Sequence, residues 1–234
     1  ELGGKAPMVI LDDANIEDAV NGAAFGCFAN SGQICMSTER IIVDQKIADE
    51  FARKFSDKAK NLPLGDPRKP EPVVLGSVIG MNTVEHCNAL IDDALSKGAK
   101  LLCGEKVNTT LMPATVLDHV TPAMRIYHEE TFGPVKCIVR VKGVEEAVAC
   151  ANDNEYGLSS AVFGGDIARA FNVARRIDSG ICHVNGPTVH DEAQMPFGGV
   201  KGSGMGRFGG KAGVAEFTEL RWITLQTTPR HYPF

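Results

Sequence analysis

The chain has 234 residues, a size that one hydrophobic core can organise before cores split at roughly 250 residues, so one large domain or one domain with a tail is expected. Hydrophobic residues at 44% and charged residues at 23% describe an ordinary globular protein, and no apolar run reaches the roughly 20 residues that span a bilayer. The net charge of −5 argues against a nucleic acid or an anionic membrane as partner, and seven cysteines scattered without a C-x-x-C pair argue against a disulfide framework or a zinc site. A reducing cytoplasm is the natural setting, with no metal expected; the opening on Glu1, with no signal peptide before it, reads as a piece of a longer polypeptide.

In chain order, Pro7 to Leu11 is an apolar run predicted as a buried strand ending at Asp12-Asp13. From Asn15, Ile16, Ala19, Val20, Ala23, Ala24 and Cys27 recur at three- and four-residue steps, which predicts a helix stopped by Asn30-Ser31-Gly32 and leaves Cys35 in the following loop. Arg40 to Val43 reads as a strand, Ile47 to Leu62 as an amphipathic helix, and Val84 to Lys97 as a helix ending at Gly98. Val135 to Val141 (strand), Val144 to Asn152 (helix), Ser159 to Phe163 (strand), Ile167 to Ile177 (helix) and Gly180 to Val184 (strand) follow. This alternation predicts an α/β fold, an open, mostly parallel twisted sheet covered by helices, because parallel neighbours need crossover connections. Trp222 to Thr227 reads as a late strand before a proline-rich end, available to a neighbouring subunit's sheet.

A cysteine in a glycine-flanked loop beyond a helix end is open to two readings, a reactive thiol or a buried small hydrophobe. Further motifs bear on the choice. Glu1-Leu2-Gly3-Gly4-Lys5 is followed by Gly32-Gln33-Ile34-Cys35, with Cys35 34 positions after Glu1. Glu130-Thr131-Phe132-Gly133-Pro134 and Pro196-Phe197-Gly198-Gly199-Val200-Lys201-Gly202-Ser203-Gly204 come later. Together these segments resemble the glutamate, cysteine, E-x-F-G-P and P-F-G-G-x-K-x-S-G signatures of the aldehyde dehydrogenase superfamily. The resemblance covers the chain but only the second half of the family's polypeptide. Within the superfamily, Asn185 to Glu192 and the Thr227 to Tyr232 tail are most similar to enzymes for aromatic aldehydes.

The resemblance implies residues 1–220 as catalytic domain, residues 221–234 as an oligomerisation strand and tail, and a coenzyme domain upstream of Glu1. It implies oxidation of a small-molecule aldehyde to the acid with NAD, or NADP, by a homo-oligomer, dimer or tetramer. A hydride leaves an aldehyde carbon only after a nucleophile has added and stayed attached, and the resemblance gives that role to Cys35. A free thiol is only about 3% ionised at neutral pH and needs a base, which the resemblance makes Glu1. As first residue Glu1 also carries an α-ammonium group, and a solvated terminal charge is the alternative. Glu130 and Phe132 are implied to hold the nicotinamide ribose and ring, with a loop charge and a core aromatic as the plain alternative. Ile34, Met36 and Phe197 are implied to line the aldehyde channel, or else are ordinary packing.

Phe208 stands after Gly206-Arg207 where family members often have a glutamate, which puts a proton relay there in doubt. Arg207 and Glu219 are expected to form an ion pair. Gly204 to Gly209 matches G-x-G-x-x-G, but no strand leads into it closely and it is set aside as a dinucleotide fingerprint. Neighbouring strand residues Cys182 and His183 face opposite ways, which removes them as a dyad, and His190-Asp191-Glu192 has no P-C-x-x-C partner for a zinc deaminase. Two rival functions stay open: a coenzyme-independent thiol esterase acting through Cys35, and a non-catalytic oligomerising fragment. The fragment alone is expected to lack dehydrogenase turnover.

Overall fold

The computed structural model describes residues 1–234. Runs rich in Val, Ile and Phe become the strands β1 (Ala6–Ile10), β2 (Thr38–Asp44), β5 (Val135–Val141), β6 (Ser159–Phe163) and β7 (Ile181–Val184). Two four-residue strands, β3 (Lys100–Cys103) and β4 (Thr115–Asp118), complete one seven-stranded sheet in the order β3-β4-β5-β2-β1-β6-β7. Every pairing is parallel except β3 with β4.

Helices α1 (Ile16–Phe28) and α2 (Ala48–Lys60) cover one face; α3 (Met81–Ser96), α5 (Gly143–Asn152) and α6 (Ile167–Ala174) cover the other. Residues of a strand alternate between these layers, as a period of two requires. Met8, Ile10, Ile41, Val43 and Phe163 pack with α1 and α2, where Phe28, Phe51 and Phe55 stack at 5.8 and 5.5 Å. Val9, Ile42, Val139 and Val162 pack with Leu90, Val148 and Val173 on the opposite side. The first helix starts where its periodicity begins, and the Asn15 side chain caps it by accepting the Asp18 N–H at 3.2 Å. Short helices α4 (Arg125–His128) and α7 (Gly210–Glu216) were not among the expected elements.

Two expectations need correction. The stretch Trp222 to Thr227 pairs with no strand of its own chain; it lies beyond α7 with Trp222 90% and Leu225 87% exposed. A lone strand has no stability without an edge to join, and the chain folds back none to it. Arg207 does not pair with Glu219. Its guanidinium donates to the Gly199 and Gly206 carbonyls at 2.9 and 2.7 Å, and its main-chain N–H donates to Glu216 Oε1 at 3.1 Å. Helix α7 brings Glu216 back to Arg207 and carries Glu219 past it.

Candidate active site

Three of the four sequence motifs are the segments that enter β1, β2 and β5, three adjacent parallel strands. Parallel neighbours begin at the same end of the sheet, so Glu1–Lys5, Gly32–Ser37 and Glu130–Pro134 meet there. Open α/β sheets ordinarily bind ligands beyond the carboxyl ends of their strands; this constellation sits at the amino ends.

The cysteine loop is built by an abrupt change of chain direction. After α1, Asn30 and Ser31 take left-handed conformations (φ 50° and 57°), and Gly32 follows at φ 73°. Gly32 is required by crowding as well, since a Cβ there would fall 2.3 Å from the Gly133 carbonyl oxygen. The loop is then pinned: the Ser37 N–H donates to the Ile34 carbonyl at 2.8 Å, Ser37 Oγ donates to the Gly26 carbonyl at 3.1 Å, and Thr188 Oγ1 donates to the Met36 carbonyl at 2.7 Å. Thr38 and Thr188 hydroxyls share a further bond of 2.8 Å.

Cys35 is half-buried, whereas Cys27, Cys87, Cys103, Cys137 and Cys150 are buried. The largest cavity, bounded by Asn30, Ser31, Arg68, Gly76 and Leu111, does not include Cys35. Burial raises the Cys35 thiol above its ordinary range, the Glu1 carboxylate raises it further, and the main-chain N–H groups of Met36 and Cys35 oppose both by favouring the thiolate. The resting sulfur is therefore a thiol that needs a base before it can attack. Cys182, also half-buried, packs toward the core on the edge strand β7, while His183 turns to the His190 ring at 5.3 Å; the two make no dyad.

Glu1 is exposed, and its Oε1 accepts the Gly3 N–H at 2.7 Å. The Leu2 N–H donates to the Ser203 carbonyl at 2.9 Å, and a Cβ on Gly204 would lie 3.4 Å from Glu1 Cα, so the fourth motif borders the first. Gly4 is buried against Cys35: a Cβ there would meet the Cys35 carbonyl oxygen at 2.7 Å. The Gly4 N–H donates to Glu130 Oε1 at 3.0 Å. Glu130 is thereby joined to the Glu1 segment, and burial raises its carboxyl above the usual range.

Phe132 holds a left-handed backbone (φ 45°) with its side chain 42% exposed, a strained conformation for a bulky residue that keeps the ring off the core. Glu130 also offers its second carboxylate oxygen, which has no partner within the chain, and an acceptor oxygen beside an exposed ring suits a ribose hydroxyl and a nicotinamide. Ile34 is half-buried and Met36 is buried at 8% exposure. Phe197 stacks on Phe208 at 6.3 Å, and their main chains exchange hydrogen bonds of 3.0 and 2.7 Å. Phe208 thus braces Phe197 in place of the acid often found there. It also anchors the Gly204–Gly209 run, which follows a turn of 3-10 helix at Lys201–Ser203 instead of a strand.

Sequence reading missed the layer under these loops. Glu39 on β2 is 2% exposed and receives Lys5 Nζ at 2.8 Å, Lys136 Nζ at 2.6 Å, and the Thr131 N–H and Oγ1 at 2.9 and 2.7 Å. Its signal is present: a charged residue entering each of three apolar runs, at Lys5, Glu39 and Lys136. Only the sheet order makes them neighbours.

Three motifs far apart in sequence thus meet around the half-buried Cys35 loop and the fourth borders the Glu1 segment, bringing a thiol and two carboxylates to one end of the sheet, the parts that nucleophilic addition followed by base catalysis requires. The chain belongs to the aldehyde dehydrogenase family, whose model matches residues 1–223. It is 56% identical over 233 residues to vanillin dehydrogenase of Pseudomonas fluorescens, covering 100% of this chain and 48% of that protein. It is 54% identical over 234 residues to salicylaldehyde dehydrogenase of Pseudomonas putida, with the same coverage. The crystal structure of a salicylaldehyde dehydrogenase from Pseudomonas putida G7 complexed with salicylaldehyde superposes with a TM-score of 0.95 at 52% identity, covering 99% of this chain and 48% of that one. The chain therefore spans about half the length of the relatives it matches.

Proposed function

We propose that this chain is the catalytic portion, residues 1–220, of an enzyme that oxidises an aromatic aldehyde to its carboxylic acid with NAD or NADP, NAD being the expected coenzyme. The observation that carries this reading is the meeting, at the amino ends of three adjacent parallel strands, of the half-buried Cys35 loop with the Glu1–Lys5 and Glu130–Pro134 segments, Gly4 packing on the Cys35 carbonyl and donating to Glu130.

Glu1 takes the thiol proton, directly or through water, and the sulfur adds to the aldehyde carbon. The carbonyl oxygen gains the displaced electron pair, and the Cys35 main-chain N–H is placed to donate to it. A nicotinamide coenzyme, held at Glu130 and Phe132, would supply the hydride acceptor for this carbon. The acyl group then rests on Cys35 as a thioester; Glu1, having passed the first proton to solvent, deprotonates the water that hydrolyses it and gives that proton to the departing sulfur, releasing the acid and restoring the thiol. Glu130, with a carboxylate oxygen free for a ribose hydroxyl, and Phe132, with its ring exposed, hold the coenzyme's nicotinamide end. Ile34, Met36 and Phe197 line the approach of the aldehyde, and Phe208 stiffens Phe197.

An aromatic substrate is supported by the identities to vanillin and salicylaldehyde dehydrogenases and by the Phe197–Phe208 stack. In this reading a coenzyme domain upstream of Glu1 supplies the rest of the coenzyme site, so residues 1–234, about half the length of those relatives, give no dehydrogenase turnover alone. Residues 221–234 carry Trp222, Ile223 and Leu225 to the surface, and β7 leaves a sheet edge open; a homo-oligomer, dimer or tetramer, joins them. Seven free cysteines suit a cytoplasmic home, and no helix is long and apolar enough to cross a membrane.

The test is a panel of aromatic and aliphatic aldehydes with NAD and NADP, using the polypeptide that carries this chain with its coenzyme-binding half. Turnover of aromatic aldehydes that vanishes in Cys35→Ser supports the reading. Turnover that survives in Cys35→Ser, or a preference for short aliphatic aldehydes, contradicts the corresponding part.

A further inference from the structure

Lys5, Glu39 and Lys136 enter three adjacent strands, directly under the loops that carry the site, and all three are at most 2% exposed. Two lysines on one glutamate put two positive charges against one negative in the interior, an arrangement that apolar packing of similar volume would replace at no loss of stability. A buried charge cluster is therefore weak evidence for stabilisation and calls for another account. Its fourth member supplies one. Thr131 gives Glu39 both its N–H and its hydroxyl, at 2.9 and 2.7 Å, and Thr131 is the residue between Glu130 and Phe132.

Holding Thr131 by two bonds fixes the plane and direction of the chain on either side. On one side, the Glu130 carbonyl is held by His86 Nε2 at 2.9 Å and its carboxylate by Gly4 at 3.0 Å. On the other, Phe132 is kept in the left-handed region, a conformation a phenylalanine leaves if released. The lysines keep Glu39 ionised and motionless, so that it accepts from Thr131 without a competing proton.

We propose that Glu39, fixed by Lys5 and Lys136, is a positioning residue that acts through Thr131 to hold Glu130 and Phe132 in their coenzyme-facing geometry. This rests on the reading above, in which Glu130 and Phe132 hold the nicotinamide end. In this reading Glu39 touches neither substrate nor coenzyme and acts on the Glu130–Gly133 loop through Thr131.

The experiment compares Thr131→Val and Thr131→Ser with the wild type in the polypeptide that includes the coenzyme-binding half. It measures coenzyme KM, kcat, the nitrophenyl ester burst at Cys35 without coenzyme, and the melting temperature. Valine keeps the N–H and removes the hydroxyl, and loss of that charge-assisted bond is expected to raise coenzyme KM about tenfold. The ester burst is expected to stay within about twofold of wild type, and serine to restore the KM. A coenzyme KM in the valine variant close to wild type, or ester burst and coenzyme KM failing together in both variants, overturns the proposal. A wild type active toward aldehydes with an unmoved Thr131→Val sinks only this inference; a wild type with neither activity nor burst sinks the dehydrogenase reading with it.

Discussion

The main-chain N–H of Gly4 donates to Oε1 of Glu130 at 3.0 Å, a bond that joins the segment entering β1 to the segment entering β5 across the intervening β2. Gly4 is at the same time pressed on the Cys35 carbonyl. One small residue therefore touches both the Cys35 loop and the Glu130 carboxylate, and its lack of a side chain permits both.

Gly4→Ala places a methyl 2.7 Å from the Cys35 carbonyl oxygen, and no rotamer relieves a Cβ against backbone. The expected cost in stability is about 1–3 kcal/mol. Ester burst and dehydrogenase kcat are expected to fall together by more than about tenfold, because a displacement near 1 Å at a reacting group costs much more than that. Burst kinetics and a melting curve on the same preparation check it.

Burial and the Glu1 charge both raise the Cys35 thiol. Glu1→Gln is expected to move the pH profile of Cys35 alkylation by iodoacetamide to lower pH, since the repelling charge is gone, while lowering kcat by about 10²–10⁴-fold as general-base catalysis is lost. Easier ionisation combined with slower turnover separates a base from a mere anionic neighbour. An unchanged kcat would show that Glu1 does not take the proton.

Burial alone would raise the Glu39 carboxyl, but Lys136 and Lys5 override it and hold the group well below its ordinary 4.5. A carboxylate depressed on folding adds stability that is complete above the unfolded value and is lost as pH falls below it. Wild type is therefore expected to lose stability as pH falls from about 4.5 through about 2. Glu39→Gln, which leaves two buried lysines facing an amide, is expected to be less stable at pH 7 by about 3–5 kcal/mol and to show a shallower acid slope. Urea unfolding at several pH values measures both.

The central strands and the cysteine loop were legible because local pattern decides them: β5 and β6 stand at the expected residues, and Asn15 and Asn30-Ser31-Gly32 bound α1 as their chemistry requires. Strands β3 and β4 were not, since four residues show no period and their fourth-residue neighbours are polar turns. Glu130, Phe132 and the Glu1 segment were found through motifs, yet the bond from Gly4 to Glu130 depends on β1, β2 and β5 being neighbours, a tertiary fact. The same holds for Glu39, which reads along the chain as one charge beside Arg40. The Arg207–Glu219 pair failed because α7, too short to show periodicity, sets Glu216 in the favoured position.

The exposed tail bears on assembly. On the proposed assembly, removing residues 221–234 from the longer polypeptide is expected to convert a dimer or tetramer to a smaller species, because the exposed Trp222, Ile223 and Leu225 would lose a neighbour's sheet edge. Light scattering during size-exclusion chromatography reports the mass directly; an unchanged mass would place the interface elsewhere.

The most direct measurement is acid quenching of the polypeptide that includes the coenzyme-binding half, during turnover of an aromatic aldehyde with NAD, followed by peptide mass spectrometry of all seven cysteines. An acyl group on the peptide containing Cys35, absent when coenzyme is withheld, is the expected result. Sustained acid production with no acyl group on Cys35, or with the acyl group on Cys182, would contradict the assignment of the nucleophile.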